Sequence, residues 1–451
     1  MTFLMDRIRL FFSGDERSLI VKKNAVFSIC LKGISILVSF MLVPLTIGYV
    51  SQELYGVWLT LSSMVVWLGF LDIGFSQGLK NRLAEANALN DWDRGKRLVS
   101  TTYFLMVLIF VPLGILAQFI VPLIDWCSLL NISEIYRDDV IKSLRVLVAL
   151  TCLQQISNVL VGVAFAFQKV AFSNSFLVLG NVISLIIIWL MTKYVPSSLL
   201  NLCFSIAAMP ILVTIVASVF LYRKMFRRVR PSIKFIDLNL YKDLFGLGYK
   251  FFIINIQVIV LFQSTNMLIS YVSSPKEVAE YNIAYKLLNC AMMVFFLVTA
   301  PLRPAYTDAY TRKDFPWMKK MRKKMGKILM LSIGACAVLT AMSQPIYSIW
   351  IGDKVDVPFT MTLAVFSYVA VYCWSNLNGT LIVGMGKLKM NTIISLVGMF
   401  VHIPISLLLS KYLGAYGVLV SLVGINFFYA IMQHIQASKL INQTAFGNWD
   451  K

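Results

Sequence analysis

Three basic side chains and one acid stand out as candidates within largely apolar stretches: Lys32, Arg145, Lys286 and Asp72. Ionisable groups at membrane depth are costly, so each is a functional candidate by default. Their balance is cationic, and a cationic lumen selects an anion. The strongest anion a membrane protein commonly carries through itself is a phosphate or diphosphate headgroup. Lys32 lies about eight residues into its apolar stretch, ~12 Å at the helical rise, and is assigned to a cavity. Arg145 and Lys286 lie nearer the outward ends of theirs, where snorkelling to the interface competes with a role in the lumen. Asp72 closes the cytoplasmic end of its stretch, just before Lys80 and Arg82. These three read as a gate or latch, an ion pair made in one access state and broken in the other.

Uncharged polar residues recur at helical spacing around the charges. Ser35 and Ser39 follow Lys32; Gln155 and Asn158, with Thr151 and Gln154, follow Arg145; Asn282 and Asn289 flank Lys286. A further stretch carries Asn255, Gln263, Asn266 and Ser270, and another Trp374, Ser375, Asn376 and Asn378. Polar groups facing lipid are expensive. These faces therefore either line a cavity or form interhelical hydrogen bonds worth ~0.6 to 2 kcal/mol each. Ser35, Ser39, Gln155, Asn158, Asn255, Gln263, Asn266, Asn282 and Asn289 are the expected lining.

Several chemistries lack their residues. The two histidines, His402 and His434, have no other metal-ligand type beside them in sequence, and His402, two residues before Pro404, reads as a packed histidine. GMGKLK, from Gly384 to Lys389, lacks the spacing of a phosphate-cradling ATPase loop. The seven cysteines form no CxxC pair or disulfide framework. The longest outward loop, Asp125 to Asp139, carries carboxylates without a partner base, so catalysis is disfavoured. No cofactor, metal or enzymatic activity is expected, which leaves transport.

The elements that must position these residues are membrane spans. Hydrophobic residues make up 59% of the 451, and mean hydropathy is +0.77. A helix needs roughly 20 apolar residues to cross a ~30 Å hydrocarbon core. Twelve such stretches are expected, among them Asn24–Gly48, Leu54–Phe75, Gly246–Val272 and Phe359–Gly384, giving an all-α polytopic membrane protein. The termini and alternate loops on one side carry 32 of the 41 Lys and Arg residues, and the opposite loops five. By the positive-inside rule both termini face the cytoplasm. This sorting accounts for the net charge of +20 without nucleic acid. The clusters Arg223, Lys224, Arg227, Arg228, Arg230 and Lys319, Lys320, Arg322, Lys323, Lys324 flank spans and attract anionic membrane lipids. The first 23 residues lack the apolar core and cleavage site of a removable signal peptide and read as an amphipathic lead-in.

Two halves are expected: an N-terminal six-helix bundle over residues 1–222, a basic cytoplasmic linker over 223–245 with Pro231 in it, and a C-terminal six-helix bundle over 246–451. SQELYG at Ser51–Gly56 and SPKEVAEY at Ser274–Tyr281 open corresponding spans, a trace of a parallel repeat. Ser274, Pro275 and Glu277 have the spacing of a capping box with proline at the first helical position.

The run Pro44–Ala86 carries a resemblance. Pro44 and Leu45, Glu53, Tyr55, Gly56 and Trp58, Leu71, Asp72 and Gly74, and Leu83, Ala84 and Glu85 resemble the pattern of the polysaccharide transporter family of O-antigen and capsule flippases. That family lies within the multidrug/oligosaccharidyl-lipid/polysaccharide exporter superfamily. The resemblance implies a V-shaped pair of six-helix bundles in the bacterial inner membrane. It also implies movement of an undecaprenyl-diphosphate-linked glycan, the repeat unit of O-antigen, capsule or exopolysaccharide, to the periplasmic leaflet by alternating access. Of the charged lumen residues such relatives use, Lys32 is carried over, with Arg145 and Lys286 as weaker candidates. Polysaccharide polymerase and chain-length machinery are further expected partners. The rivals are a drug or cation antiporter of the same superfamily, which needs a buried carboxylate for cationic cargo, a glycan polymerase or ligase, which needs catalytic outward loops, and a non-transporting scaffold.

Overall fold

The computed structural model describes residues 16–72, 74–245, 263–299 and 302–450. These residues form helices and connecting turns, with no strand among them. Nine described helices are long and apolar enough to cross a membrane. The chain is thus an all-α, multi-pass membrane protein. The helices used below are α1 (Glu16–Tyr49), α2 (Gln52–Val66), α3 (Phe75–Ala88), α4 (Trp92–Ile120), α5 (Arg137–Ala166), α6 (Val170–Tyr194), α7 (Leu199–Arg223), α8 (Pro275–Thr299), α9 (Leu302–Thr311), α10 (Phe315–Ala341), α11 (Phe359–Gly384), α12 (Lys389–Leu413) and α13 (Ala415–Ile441). Of the expected span Gly246–Val272, residues 246–262 lie outside the described residues, and 263–272 are helical.

Short polar residues start several of these helices by accepting backbone N–H groups that the first turn leaves without partners. Asp91 accepts from Arg94 N at 3.0 Å, Asp314 from Trp317 N at 3.0 Å, and Ser198 from Asn201 N at 3.3 Å. The segments Ser51–Gly56 and Ser274–Tyr281 begin alike: Ser51 Oγ accepts from Leu54 N at 3.1 Å and Ser274 Oγ from Glu277 N at 3.4 Å. Four of these helices end on a left-handed residue that is not glycine, Asn90, Gln168, Lys313 and Gln443, with φ between 55° and 59°. The next residue in each case bonds back to a helical carbonyl: Asp91 to Ala86, Lys169 to Ala164, Asp314 to Ala309 and Thr444 to Lys439.

The expected second span is broken. After α2 the chain tightens into a 3₁₀ segment, Trp67–Asp72, and restarts as α3 beyond Gly74, whose φ of 85° suits a residue without Cβ. Asp72 Oδ1 then accepts from Ser76 N at 3.1 Å, so this carboxylate helps satisfy the start of α3.

Contacts divide the described chain into two compact units. The first holds the described residues of Met1–Val50, Val65–Asp125 and Tyr136–Asn255; the second holds Ser51–Met64, Trp126–Ile135 and the described residues of Ile256–Lys451. Within the first, α1 lies on α6, α6 on α7, and α5 on α4 and α7. Glycine permits the closest approaches, since apolar helices in lipid gain from backbone proximity. A Cβ on Gly180 of α6 would stand 2.3 Å from Pro210 Cα of α7. In the second unit a Cβ on Gly56 would stand 1.7 Å from the Pro275 carbonyl oxygen, so the segments Ser51–Gly56 and Ser274–Tyr281 touch. There too α11 and α13 pack on each other, with α12 on α13 and α8 and α10 on α11.

The basic segment 223–245 is pinned against α4. Asp237 N donates to Thr101 Oγ1 at 2.9 Å, Ser232 N donates to Ser100 Oγ at 3.0 Å, and Arg94 pairs with Asp243 at 3.5 Å. Arg228 covers the Trp92 ring at 4.8 Å.

Candidate functional site

A cavity of about 470 Å³ opens within the first unit, between α5, α6, α7 and the end of α2. From α5 it takes Thr151, Gln154, Gln155 and Asn158, which share one helical face. From α6 come Ser173, Asn174 and Asn181, and from α7 Ile206, Pro210 and Thr214. Gln154 Nε2 donates to Asn158 Oδ1 at 2.7 Å, and Thr214 Oγ1 donates to the Pro210 carbonyl at 2.8 Å. Pro210 has no N–H for the carbonyl of Ile206, one turn earlier, so α7 is short of a backbone bond where it borders the cavity. Five carboxamides and three hydroxyls give the wall many donors and acceptors and no charge. Such a surface matches a polyol, whose hydroxyls also donate and accept. It cannot neutralise a diphosphate.

The sequence-predicted residues divide between this cavity and other settings. Gln155 and Asn158 line it. Ser35 and Ser39 are half-buried on α1. Asn282 Nδ2 donates to Asn266 Oδ1 at 2.8 Å, joining α8 to the helical segment 263–272 in the second unit. Asn289 and Gln263 are half-buried, and Asn255 lies outside the described residues. The α6 carboxamides Asn174 and Asn181 escaped sequence reasoning, although their separation of seven residues is the helical signal that flagged the other faces.

Lys32 is exposed on α1. Arg145, on α5, is in reciprocal contact with Gln118 of α4: its Nε donates to Gln118 Oε1 at 3.1 Å, and Gln118 Nε2 donates to its carbonyl at 3.2 Å. Lys286 is half-buried on α8 and follows Tyr285 in a band of rings. Tyr281 stacks on Tyr285 at 6.0 Å, Tyr285 meets Tyr368 of α11 at 6.3 Å, and Tyr368 stacks on Tyr372 at 5.8 Å.

At the break between α2 and α3, the Asp72 carboxylate faces the Ser76 amide. Lys80 lies over the Phe165 ring at 4.8 Å; burial lowers its pKa below the usual lysine value, and the charge of Asp72 opposes that shift. Arg82 pairs with Glu85 at 3.0 Å and with Asp243 at 4.0 Å. Its partners are thus on α3 and the 223–245 segment.

This architecture is found in solved transporters. The chain is similar to an inward-facing multidrug resistance MATE family transporter of the MOP superfamily, with a TM-score of 0.73 and 15% identity, over 90% of this chain and all of that one. It is also similar to the lipid II flippase MurJ in an inward closed conformation, with a TM-score of 0.64 and 16% identity over 92% and 90% of the two chains. At these identities the likeness is one of fold. In sequence it is 22% identical over 368 residues to a Salmonella typhi protein named "Putative O-antigen transporter", covering 78% of this chain and 80% of the relative. Residues 21–309, more than half of the chain, match the family described as polysaccharide biosynthesis protein, and the chain belongs to that family.

Proposed function

We propose that the protein is a flippase that carries an undecaprenyl-diphosphate-linked oligosaccharide from the cytoplasmic to the periplasmic leaflet of a bacterial inner membrane. The observation that carries this reading is the uncharged, carboxamide-rich cavity of the first unit, in a membrane protein of a polysaccharide biosynthesis family. Sugar hydroxyls need a wet, hydrogen-bonding path, while a polyprenyl tail can remain in the bilayer. The cationic residues Lys32, Arg145 and Lys286 supply the complementary charge for the diphosphate. Alternating access rocks an N-terminal bundle, 1–222, against a C-terminal bundle, 246–451, and Asp72, Lys80 and Arg82 hold the cytoplasmic gate. Similarity to an O-antigen transporter and to the fold of a lipid II flippase supports this reading. The antiporter alternative has less support, because a cationic cargo calls for a carboxylate and none lines this cavity among the described residues. The test is removal of the protein from its host. Lipid-linked oligosaccharide should accumulate on the cytoplasmic leaflet and reach the periplasmic one again on complementation. Unchanged leaflet distribution would reject the function.

A further inference from the structure

The basic run from Lys319 to Lys324 orients α10 in the membrane, yet part of it is built into a cavity. Lys319, Arg322 and Lys323 are spaced three and four residues apart and share one face of α10, next to Gly326 one turn further on. With Trp374 and Asn378 of α11 and His434 of α13 they line a cavity of about 560 Å³ inside the second unit. Arg322 is half-buried there. Its Nη1 donates to Ser438 Oγ at 2.8 Å, and its Nη2 donates to Asn378 Oδ1 at 3.2 Å and to the His434 carbonyl at 3.2 Å; His434 Nδ1 stands 3.1 Å away. None of these partners is a carboxylate. The neighbouring acids are engaged elsewhere: Asp308 with Arg312, Asp314 as the cap of α10, and Asp450 with Lys387.

A guanidinium taken partly out of water ordinarily meets a carboxylate or a phosphate. Among the described residues no acidic side chain lines the cavity. Arg322 alone would be accounted for as a donor to the end of α13. Lys319 and Lys323 would not, because both are exposed at the cavity and neither forms a hydrogen bond or ion pair among the described residues. Three cations therefore share a concave wall that, among the described residues, carries no counter-charge. The cavity lies at the start of α10 and toward the ends of α11 and α13, which the distribution of basic residues assigns to the cytoplasmic side.

We propose that this cavity binds the phosphate of a lipid headgroup entering from the cytoplasmic leaflet. Two sources share that chemistry: the diphosphate of a polyprenyl-linked cargo, and the phosphate of an ordinary anionic phospholipid. Assignment to cargo rests on the flippase reading; the binding site itself does not.

The test uses the full chain in phosphatidylcholine nanodiscs, titrated separately with undecaprenyl diphosphate and with phosphatidylglycerol. The double variant Lys319→Gln/Lys323→Gln removes two cations from the cavity and leaves the bonds of Arg322 intact. Lys320→Gln/Lys324→Gln removes the same charge from outside the cavity lining. The first should weaken binding about tenfold or more and the second by no more than about threefold, since only the first loses charge-assisted contacts. Tighter, cavity-dependent binding of undecaprenyl diphosphate assigns the site to cargo; tighter binding of phosphatidylglycerol assigns it to a resident lipid. Binding of neither lipid, or equal loss in both double variants, overturns the site. Leaflet transfer of a lipid-linked saccharide by the parent protein is measured in parallel. Transfer with cavity-independent binding sinks the site alone, and cavity-dependent binding without transfer sinks the flippase reading alone.

Discussion

A carboxamide donates and accepts at once, as a sugar hydroxyl does, and Asn158 on α5 and Asn181 on α6 bring that capacity into one cavity. Replacing both with leucine, which keeps the branched shape but cannot hydrogen-bond, leaves sugar hydroxyls without partners, at about 1 to 3 kcal/mol for each unpaired group. Asn158→Leu/Asn181→Leu should therefore slow leaflet transfer by about tenfold or more while the inserted protein remains abundant. Unchanged transfer would remove this cavity from the path. Lys32 makes a different prediction because only its charge is at issue. Lys32→Glu should abolish transfer and Lys32→Arg should keep part of it, both with normal insertion, as measured by surface glycan and membrane abundance. Normal surface glycan in the Glu variant would exclude Lys32 from contact with the diphosphate.

Between helices, the break at Asp72 and the contact at Gly56 are the most exacting features. An asparagine can cap a helix nearly as well as an aspartate, so Asp72→Asn keeps the start of α3 and loses the charge. A gate that depends on that charge predicts slowed transfer and altered thiol accessibility along the cytoplasmic half of α2, with thermal stability close to the parent's. A carboxylate that is a cap alone predicts parental behaviour for Asp72→Asn and a loss of about 1 kcal/mol for Asp72→Ala. Gly56→Leu must push α2 away from Pro275, where even a Cβ would stand at 1.7 Å. It should lower the thermal midpoint in detergent, with a cost of about 3 kcal/mol or more. Periodicity made the polar face of α5 legible, because Gln155 and Asn158 share that face whatever they meet. It could not show that α6 turns Asn174 and Asn181 toward the same space, which depends on how α5, α6 and α7 pack. Arg322 was hidden by composition: in a run with Lys319, Lys320, Lys323 and Lys324 it looks like topogenic charge, and only the packing of α10 on α11 shows which members face inward. The break after α2 is not legible in sequence, since Leu54–Leu71 is long and largely apolar and a 3₁₀ turn leaves no hydropathy signal.

For the whole molecule, hydropathy and charge asymmetry were enough to read an all-α membrane protein, because bilayer thickness and backbone satisfaction leave few alternatives. The same asymmetry predicts an orientation, with both termini in the cytoplasm. Single cysteines near Asp138 and Lys354 should react with an impermeant thiol reagent in intact cells, and cysteines near Arg94 and Lys320 should not. Labelling at Lys320 from outside would invert the cytoplasmic assignment, and with it the direction from which a phosphate would enter the basic cavity. The central claim is that this chain moves a lipid-linked saccharide between leaflets, and purified protein in proteoliposomes tests it most directly. With a fluorescent undecaprenyl-diphosphate-linked oligosaccharide in both leaflets, a membrane-impermeant quencher should reach only the outer half in protein-free vesicles. Protein-containing vesicles should lose the protected fraction over time, and vesicles carrying Lys32→Glu should retain it. Equal protection with and without the protein would contradict the claim.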